Sequence, residues 1–186
     1  ILFLAVALFS FIVSHAKDAR PNIVVIMADD MGMEAISVHG GESYKTPNID
    51  RLANEGVRFD NCFANPLCTP SRAKIMTGQY NVRNYEKFGR LPRGEKTFAH
   101  VLKDAGYATA IAGRYMHQSP RDEPYGFEKR VLGSTYIKDD DYSRYLDEHA
   151  PDLGGINGIG LSCNGREAKA WPVDDELHPS SWTVRE

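Results

Sequence analysis

Cysteine is scarce in this sequence. Three thiols in 186 residues, Cys62, Cys68 and Cys163, are too few and too irregularly spaced for a disulfide framework or a zinc motif. An excess of charge of one sign is lacking as well: 22 basic side chains face 25 acidic ones, for a formal net charge of -3, and the basic residues are dispersed. Without a basic stripe, nucleic acid is excluded as a general partner. No apolar run reaches the ~20 residues that a bilayer-spanning helix needs. The longest, Ile1 to Val13, is broken only by Ser10. Internal repeats are absent too.

That apolar run is followed by Ser14-His15-Ala16, a small-x-small site that a signal peptidase can cut. Residues 1–16 are therefore expected to be a secretory signal, and not a stable membrane anchor. No basic segment precedes the run, and Ser181 to Glu186 reads as a helix that opens without finishing. Both ends are expected to be incomplete. The expected location is the periplasm or the exterior, where an odd number of cysteines leaves at least one thiol without an intramolecular partner. Residues 17–186 suffice for one ordinary globular domain, given 42% hydrophobic content over the whole chain and aromatic residues spread along it.

Strand and helix signals alternate through the first two thirds of the sequence. Asn22 to Ala28 is a nearly continuous β-branched run, the pattern of a strand buried on both faces of a parallel sheet, and it ends at Asp29-Asp30. Thr46-Pro47 opens a predicted helix with Ile49, Leu52 and Ala53 on one face and Gly56 as its stop. Val57 to Ala64 reads as a second strand, and Ser71 to Thr77 as a short helix closed by Gly78. A polar loop rich in Arg, Gly and Pro runs to Lys96. Thr97 caps a further helix with Phe98, Val101, Leu102 and Ala105 on one side, and Gly106 leads into a strand over Tyr107 to Ala112. Asp139 to Asp141 form a solvated start to a helix carrying Tyr142, Tyr145, Leu146 and His149. Gly154 to Gly165 reads as a loop. The alternation predicts an α/β fold with a mainly parallel sheet flanked by helices.

Two constellations could carry chemistry. Asp29 and Asp30 follow a buried strand directly, where an ionised carboxylate is costly unless a cation or several donors compensate it. α/β proteins place their sites at such carboxyl ends. The pair could offer oxygen ligands to Ca²⁺ or Mg²⁺; alternatively, one of them caps a turn at Met31-Gly32. The second constellation is Cys68-Thr69-Pro70-Ser71-Arg72, between a strand and a helix start. Helix-terminal N–H groups and a nearby guanidinium favour an anionic nucleophile there, whereas an isolated Cys is more often a small buried apolar group.

With its neighbours, that pentapeptide resembles the C-x-P-S-R signature of the formylglycine-dependent sulfatases, members of the alkaline-phosphatase-like superfamily. Pro21 to Gly32 (PNIVVIMADDMG), Thr46 to Phe59 (TPNIDRLANEGVRF) and Ser71 to Tyr80 (SRAKIMTGQY) are similar to family stretches in the same order. The resemblance, from Pro21 to about Gly113, implies the amino-terminal portion of a sulfatase catalytic domain. It implies that a formylglycine-generating maturation enzyme oxidises Cys68, and that one hydroxyl of the hydrated, metal-bound formylglycine attacks the sulfur of an organic sulfate ester. The second hydroxyl then expels sulfate as the aldehyde re-forms. It further implies Asp29 and Asp30 as ligands of Ca²⁺, alternatively Mg²⁺, Cys68 as ligand and nucleophile, and Arg72 as holder of the formylglycine oxygen.

The sequence departs from the family after the Tyr107 to Ala112 strand. In place of G-K-x-H it has Gly113-Arg114-Tyr115-Met116-His117, so that Arg stands for the sulfate-binding Lys and the His comes one position late. Arg114 can supply the charge, though with different reach and geometry; His117 reads equally as a hydrate contact or an ordinary loop histidine. His39, His100 and His178 read as loop, helix-surface and turn residues. Later family ligands and leaving-group residues fall beyond residue 186, so this length of chain alone is expected to be inactive. Two other readings stay open: a phosphonate or phosphate ester hydrolase of the same superfamily, and a catalytically silent remnant.

Overall fold

The computed structural model describes residues 20–116, 118–133, 139–159 and 171–186. The expected signal at residues 1–16, His117, Cys163 and the end of the glycine-rich stretch lie outside the described residues. Among the described residues no helix is long and apolar enough to cross a membrane. The chain forms two compact units, Ile1–Arg58 and Phe59–Glu186.

In the first unit the helix Pro47–Glu55 forms where its punctuation predicts, with proline at the start and Gly56 just beyond the end. Its anchor is a polar knot. The Ser37 and Thr46 hydroxyls donate to the two oxygens of Asp50 at 2.8 and 3.0 Å, and the Val38 N–H adds a third bond at 2.9 Å. The same hydroxyls accept the Thr46 and Ser37 amides at 2.9 and 3.0 Å. Thus the 3-10 turn Ser37–His39 is tied to the helix start by groups that satisfy one another. Arg58 adds a bond to the Val38 carbonyl at 3.1 Å.

Two expected strands do not form. Asn22 to Ala28 and Val57 to Ala64 contain no strand, and Val24, Ile26 and Phe63 are 80%, 85% and 85% exposed. A β-branched run sets a preference, but a strand exists only beside a neighbour that takes its N–H and C=O groups. Among the described residues that pairing occurs elsewhere.

It occurs in the second unit, between β1 (Ala110–Gly113) and β2 (Lys129–Leu132), which run parallel with Ala110 opposite Lys129 and Gly113 opposite Leu132. β1 falls at the end of the expected Tyr107 to Ala112 strand; β2 carried no clear sequence signal. The chain between them passes through Tyr125 and Gly126, both at positive φ. Thr97 and Thr109 hold the carbonyls of this pair at 2.5 and 2.7 Å. Position 126 requires glycine, because a Cβ there would stand 2.8 Å from the Ala99 carbonyl carbon and the left-handed backbone disfavours one anyway.

One apolar core joins Ala73 and Met76 to Leu91, Ala99, Tyr125 and Phe127. It is sealed by edge-to-face pairs, Phe98 on Phe127 and Tyr115 on Tyr125. Burial pushes the Tyr125 hydroxyl up to about 12, and that hydroxyl donates to the Leu91 carbonyl at 2.6 Å. A second core gathers Tyr142, Leu146, Ile159 and Trp182.

The predicted helices at Phe98–Asp104 and Asp141–His149 are present, with changes in detail. Ala99 is buried while Val101 is exposed. His100 is no idle surface residue: its Nδ1 accepts the Thr97 N–H at 3.1 Å and closes a capping box. Nor is the acidic helix start solvated throughout. Asp140 is 6% exposed and accepts the Ser143 N–H and hydroxyl at 2.8 and 2.9 Å, and Asp141 accepts the Leu132 N–H at 2.6 Å. His178 is likewise a cap, accepting the Ser180 N–H at 3.1 Å at the start of the Pro179–Arg185 helix.

The polar knot carries a pH dependence. The Ser37 hydroxyl most of all, then Thr46 and the Val38 N–H, hold the Asp50 carboxyl below its ordinary value against the opposing effect of desolvation. A lowered native pKa means stability that is present above the ordinary carboxylate pKa and lost as pH falls through the lowered one. Accordingly, an NMR titration of Asp50 is expected to give a midpoint below the ~3.9 of a free aspartate. Asp50→Asn is expected to flatten the fall of melting temperature in that acid range. A midpoint at or above the ordinary value would contradict the knot.

Candidate active site

The Cys68–Thr77 helix begins three residues earlier than its sequence pattern suggests. Leu67 is extended at φ -126° and ψ 156°, and Cys68 and Thr69 complete the first turn before Pro70. Proline is tolerated there because first-turn N–H groups have no intrahelical acceptor. Ser71 secures the entry. Its hydroxyl lies 2.9 Å from the Leu67 carbonyl and 3.1 Å from that of Asn65, and it accepts the Asn65 N–H at 3.0 Å. Gly78, at φ 66°, closes the helix with its N–H on the Lys74 carbonyl. Ala73 and Met76 enter the core, which leaves Cys68 half-buried as a free thiol at the positive end of the helix dipole.

Arg72, one turn on, is 8% exposed. Its Nη1 donates to the carbonyl of Arg114 at 2.7 Å, with the Tyr115 carbonyl 3.5 Å away. The helix that opens with Cys68 is thereby bonded to the segment that leaves β1. In that segment Gly113 turns the chain at φ 93°, Tyr115 and Met116 go into the core, and Arg114 stays half-buried. Beside Arg114 lies a cavity of about 30 Å³, bordered also by Ser119, Arg121, Leu132 and Asp140. Cys68, Arg72 and Arg114 are thus joined within one unit.

Asp29 and Asp30 belong to the other unit, at a bend in which Asp30 takes the left-handed φ of 53°. Both are exposed. Two adjacent hard carboxylates fit Ca²⁺ or Mg²⁺ by donor type, but a Ca²⁺ shell takes about six to eight oxygens. Among the described residues no cluster of three His, Cys, Asp or Glu suitable for a metal is present. The pair therefore fits a hard cation as part of a larger shell. Sequence reasoning overlooked Thr69, the variable position of the pentapeptide, which is 1% exposed and accepts the Gly89 N–H at 2.8 Å. Its only signal was a hydroxyl next to the candidate nucleophile.

A family model described as Sulfatase matches residues 21–176. The chain is 33% identical over 190 residues to an arylsulfatase of Clostridium perfringens, covering 90% of this chain and 38% of that protein. It is 42% identical over 126 residues to an N-acetylglucosamine-6-O-sulfatase of Bacteroides thetaiotaomicron, covering 66% of this chain and 22% of that protein. The crystal structure of the phosphonate monoester hydrolase of Agrobacterium radiobacter superposes with a TM-score of 0.69 at 22% identity, over 89% of this chain and 37% of that one. This last likeness is one of fold. The chain spans well under half the length of these relatives.

The bond from Arg72 to the Arg114 carbonyl is open to a direct test. Arg72→Met keeps the apolar stem and removes the donor, leaving the part-buried Arg114 carbonyl without this partner. The expected loss is about 1–3 kcal/mol in a urea unfolding curve. A midpoint equal to that of the parent protein would show that the bond contributes nothing to stability.

Proposed function

The chain belongs to the sulfatase family, and from this premise we propose that the complete protein hydrolyses organic sulfate esters through a nucleophile made from Cys68. The observation that carries the reading is the place of Cys68 at the start of a helix that the Arg72 guanidinium ties to the main-chain carbonyl of Arg114. A sulfate ester is an anion whose oxygens gain charge as its ester bond breaks, and fixed cations and helix N–H groups stabilise that change. Arg114 is to hold the sulfate oxygens, since a guanidinium can direct two N–H groups of one fork at an oxyanion. Arg72 is to keep positive charge beside position 68.

A divalent cation held by Asp29 and Asp30, together with a formylglycine at position 68, would supply Lewis acidity and a hydrated aldehyde as nucleophile. Ca²⁺ is preferred, since exposed carboxylates at an irregular bend suit its flexible coordination better than the strict octahedron of Mg²⁺. His117 is assigned to the hydrate side of the site by its place after Arg114. The maturation enzyme would read Cys68, Pro70 and Arg72, and the apolar amino terminus supports export to the periplasm or exterior. The likeness to a phosphonate monoester hydrolase, at 22% identity, bears on the fold and not on the substrate. Sulfatase relatives at higher identity support the sulfate reading.

Two experiments test it. Peptide mass spectrometry on the complete protein, made together with a formylglycine-generating enzyme, is expected to show loss of the Cys68 thiol mass and gain of an aldehyde or its hydrate. An unmodified Cys68 would count against the proposal. Asp29→Ala and Asp30→Ala are each expected to lower metal content and to cut aryl sulfate turnover by at least ~100-fold, since even outer-shell changes at metal sites cost 10–100-fold. Melting temperature should change little, both side chains being exposed. Normal turnover in either variant would remove that residue from the metal site.

A further inference from the structure

Within the Cys68-Thr69-Pro70-Ser71-Arg72 segment, Thr69 has no part in the reading above, yet it is the most deeply buried polar side chain next to the candidate nucleophile. At 1% exposure its hydroxyl accepts the Gly89 N–H at 2.8 Å. Gly89, at φ 78°, turns its carbonyl to a different partner and accepts the Gln118 N–H at 2.8 Å. Two residues on, the fully buried Leu91 repeats the link: its N–H donates to the Ser119 hydroxyl at 2.8 Å, and its carbonyl accepts the Tyr125 hydroxyl at 2.6 Å. Gly89 to Leu91 is thus a short bridge with Thr69 on one side and Gln118-Ser119 on the other.

The far side of the bridge belongs to the segment that begins with Arg114, whose carbonyl is held by Arg72. Arg114 and the Gln118-Ser119 pair are therefore each fastened to the helix that opens with Cys68, the first directly and the second through the Gly89 to Leu91 bridge. The Thr69–Gly89 and Leu91–Ser119 bonds are buried, so a lost acceptor there is not readily replaced by solvent, and the buried N–H it served is left at a cost. We propose that Thr69 is a positioning residue: through Gly89 it sets where Gln118 and Ser119, and with them the chain that follows Arg114, stand relative to Cys68. Its kinetic consequence rests on the sulfatase reading, whereas the link itself does not.

The test uses the complete, matured protein, with formylglycine content checked by mass so that an effect on maturation is kept separate. Thr69→Val keeps the shape and removes the acceptor; Thr69→Ser keeps the acceptor. In Thr69→Val the Gln118 amide is expected to exchange with solvent deuterium at least ~10-fold faster, and kcat/KM for an aryl sulfate to fall by roughly 10–100-fold per formylglycine, the scale expected for a small misplacement of a binding group. Thr69→Ser is expected to retain both parent values. Unchanged Gln118 exchange in Thr69→Val would overturn the link. Faster exchange with unchanged kcat/KM, or a serine variant that behaves like the valine one, would overturn the positioning role. If Thr69→Val does not fold, Ser119→Ala cuts the same bridge on its far side and is expected to lower kcat/KM with formylglycine content unchanged; parent-like turnover there would also overturn the proposal. A parent protein that carries formylglycine and releases no sulfate would refute the sulfatase reading, and Gln118 exchange would then decide the link alone.

Discussion

The arrangement of the second unit depends on the buried guanidinium of Arg72. It leaves the Cys68 helix one turn after the thiol and ends on the carbonyl of Arg114, 42 residues further along the chain. A cation this well buried must be met by acceptors or it destabilises the fold, and the Arg114 carbonyl is one of them. One contact thereby ties the helix that opens with Cys68 to the turn after β1.

Around that contact the unit is built from short links of the same kind. Thr97 and Thr109 hold the left-handed Tyr125-Gly126 pair ahead of β2, Thr69 holds Gly89, and Asp141 holds the Leu132 N–H at the end of β2. With only two short paired strands among the described residues, side chains do much of the work that ladder hydrogen bonds do in a larger sheet. The first unit follows the same rule on a smaller scale, with Ser37, Thr46 and Asp50 mutually satisfied at the start of the Pro47–Glu55 helix.

Helices were legible because their determinants are local. Pro47 at a first position, Gly78 in the left-handed region after Thr77, and the aspartates before Tyr142 act within a turn of where they stand, so their reading survives whatever packs against them. Strands at Asn22 to Ala28 and Val57 to Ala64 were not legible in this sense. Their β-branched and aromatic residues state a preference whose fulfilment belongs to a neighbour. β2 shows the converse: Lys129–Leu132 has little β signal, yet it pairs with β1 because the chain before it is pinned by Thr97 and Thr109.

The sequence by itself determined the chemistry on offer: a thiol in a C-T-P-S-R segment, two adjacent carboxylates after an apolar run, and an arginine directly after Gly113. These are properties of residue type and spacing, and they need no fold to be read. Only the tertiary structure decided which of them meet. It bonded Arg72 to Arg114, buried the Asp140 side chain and turned Thr69 inward onto Gly89. The physical reason is that each of these partners is chosen by distance in space and by the exclusion of water, and neither is written in the order of the residues.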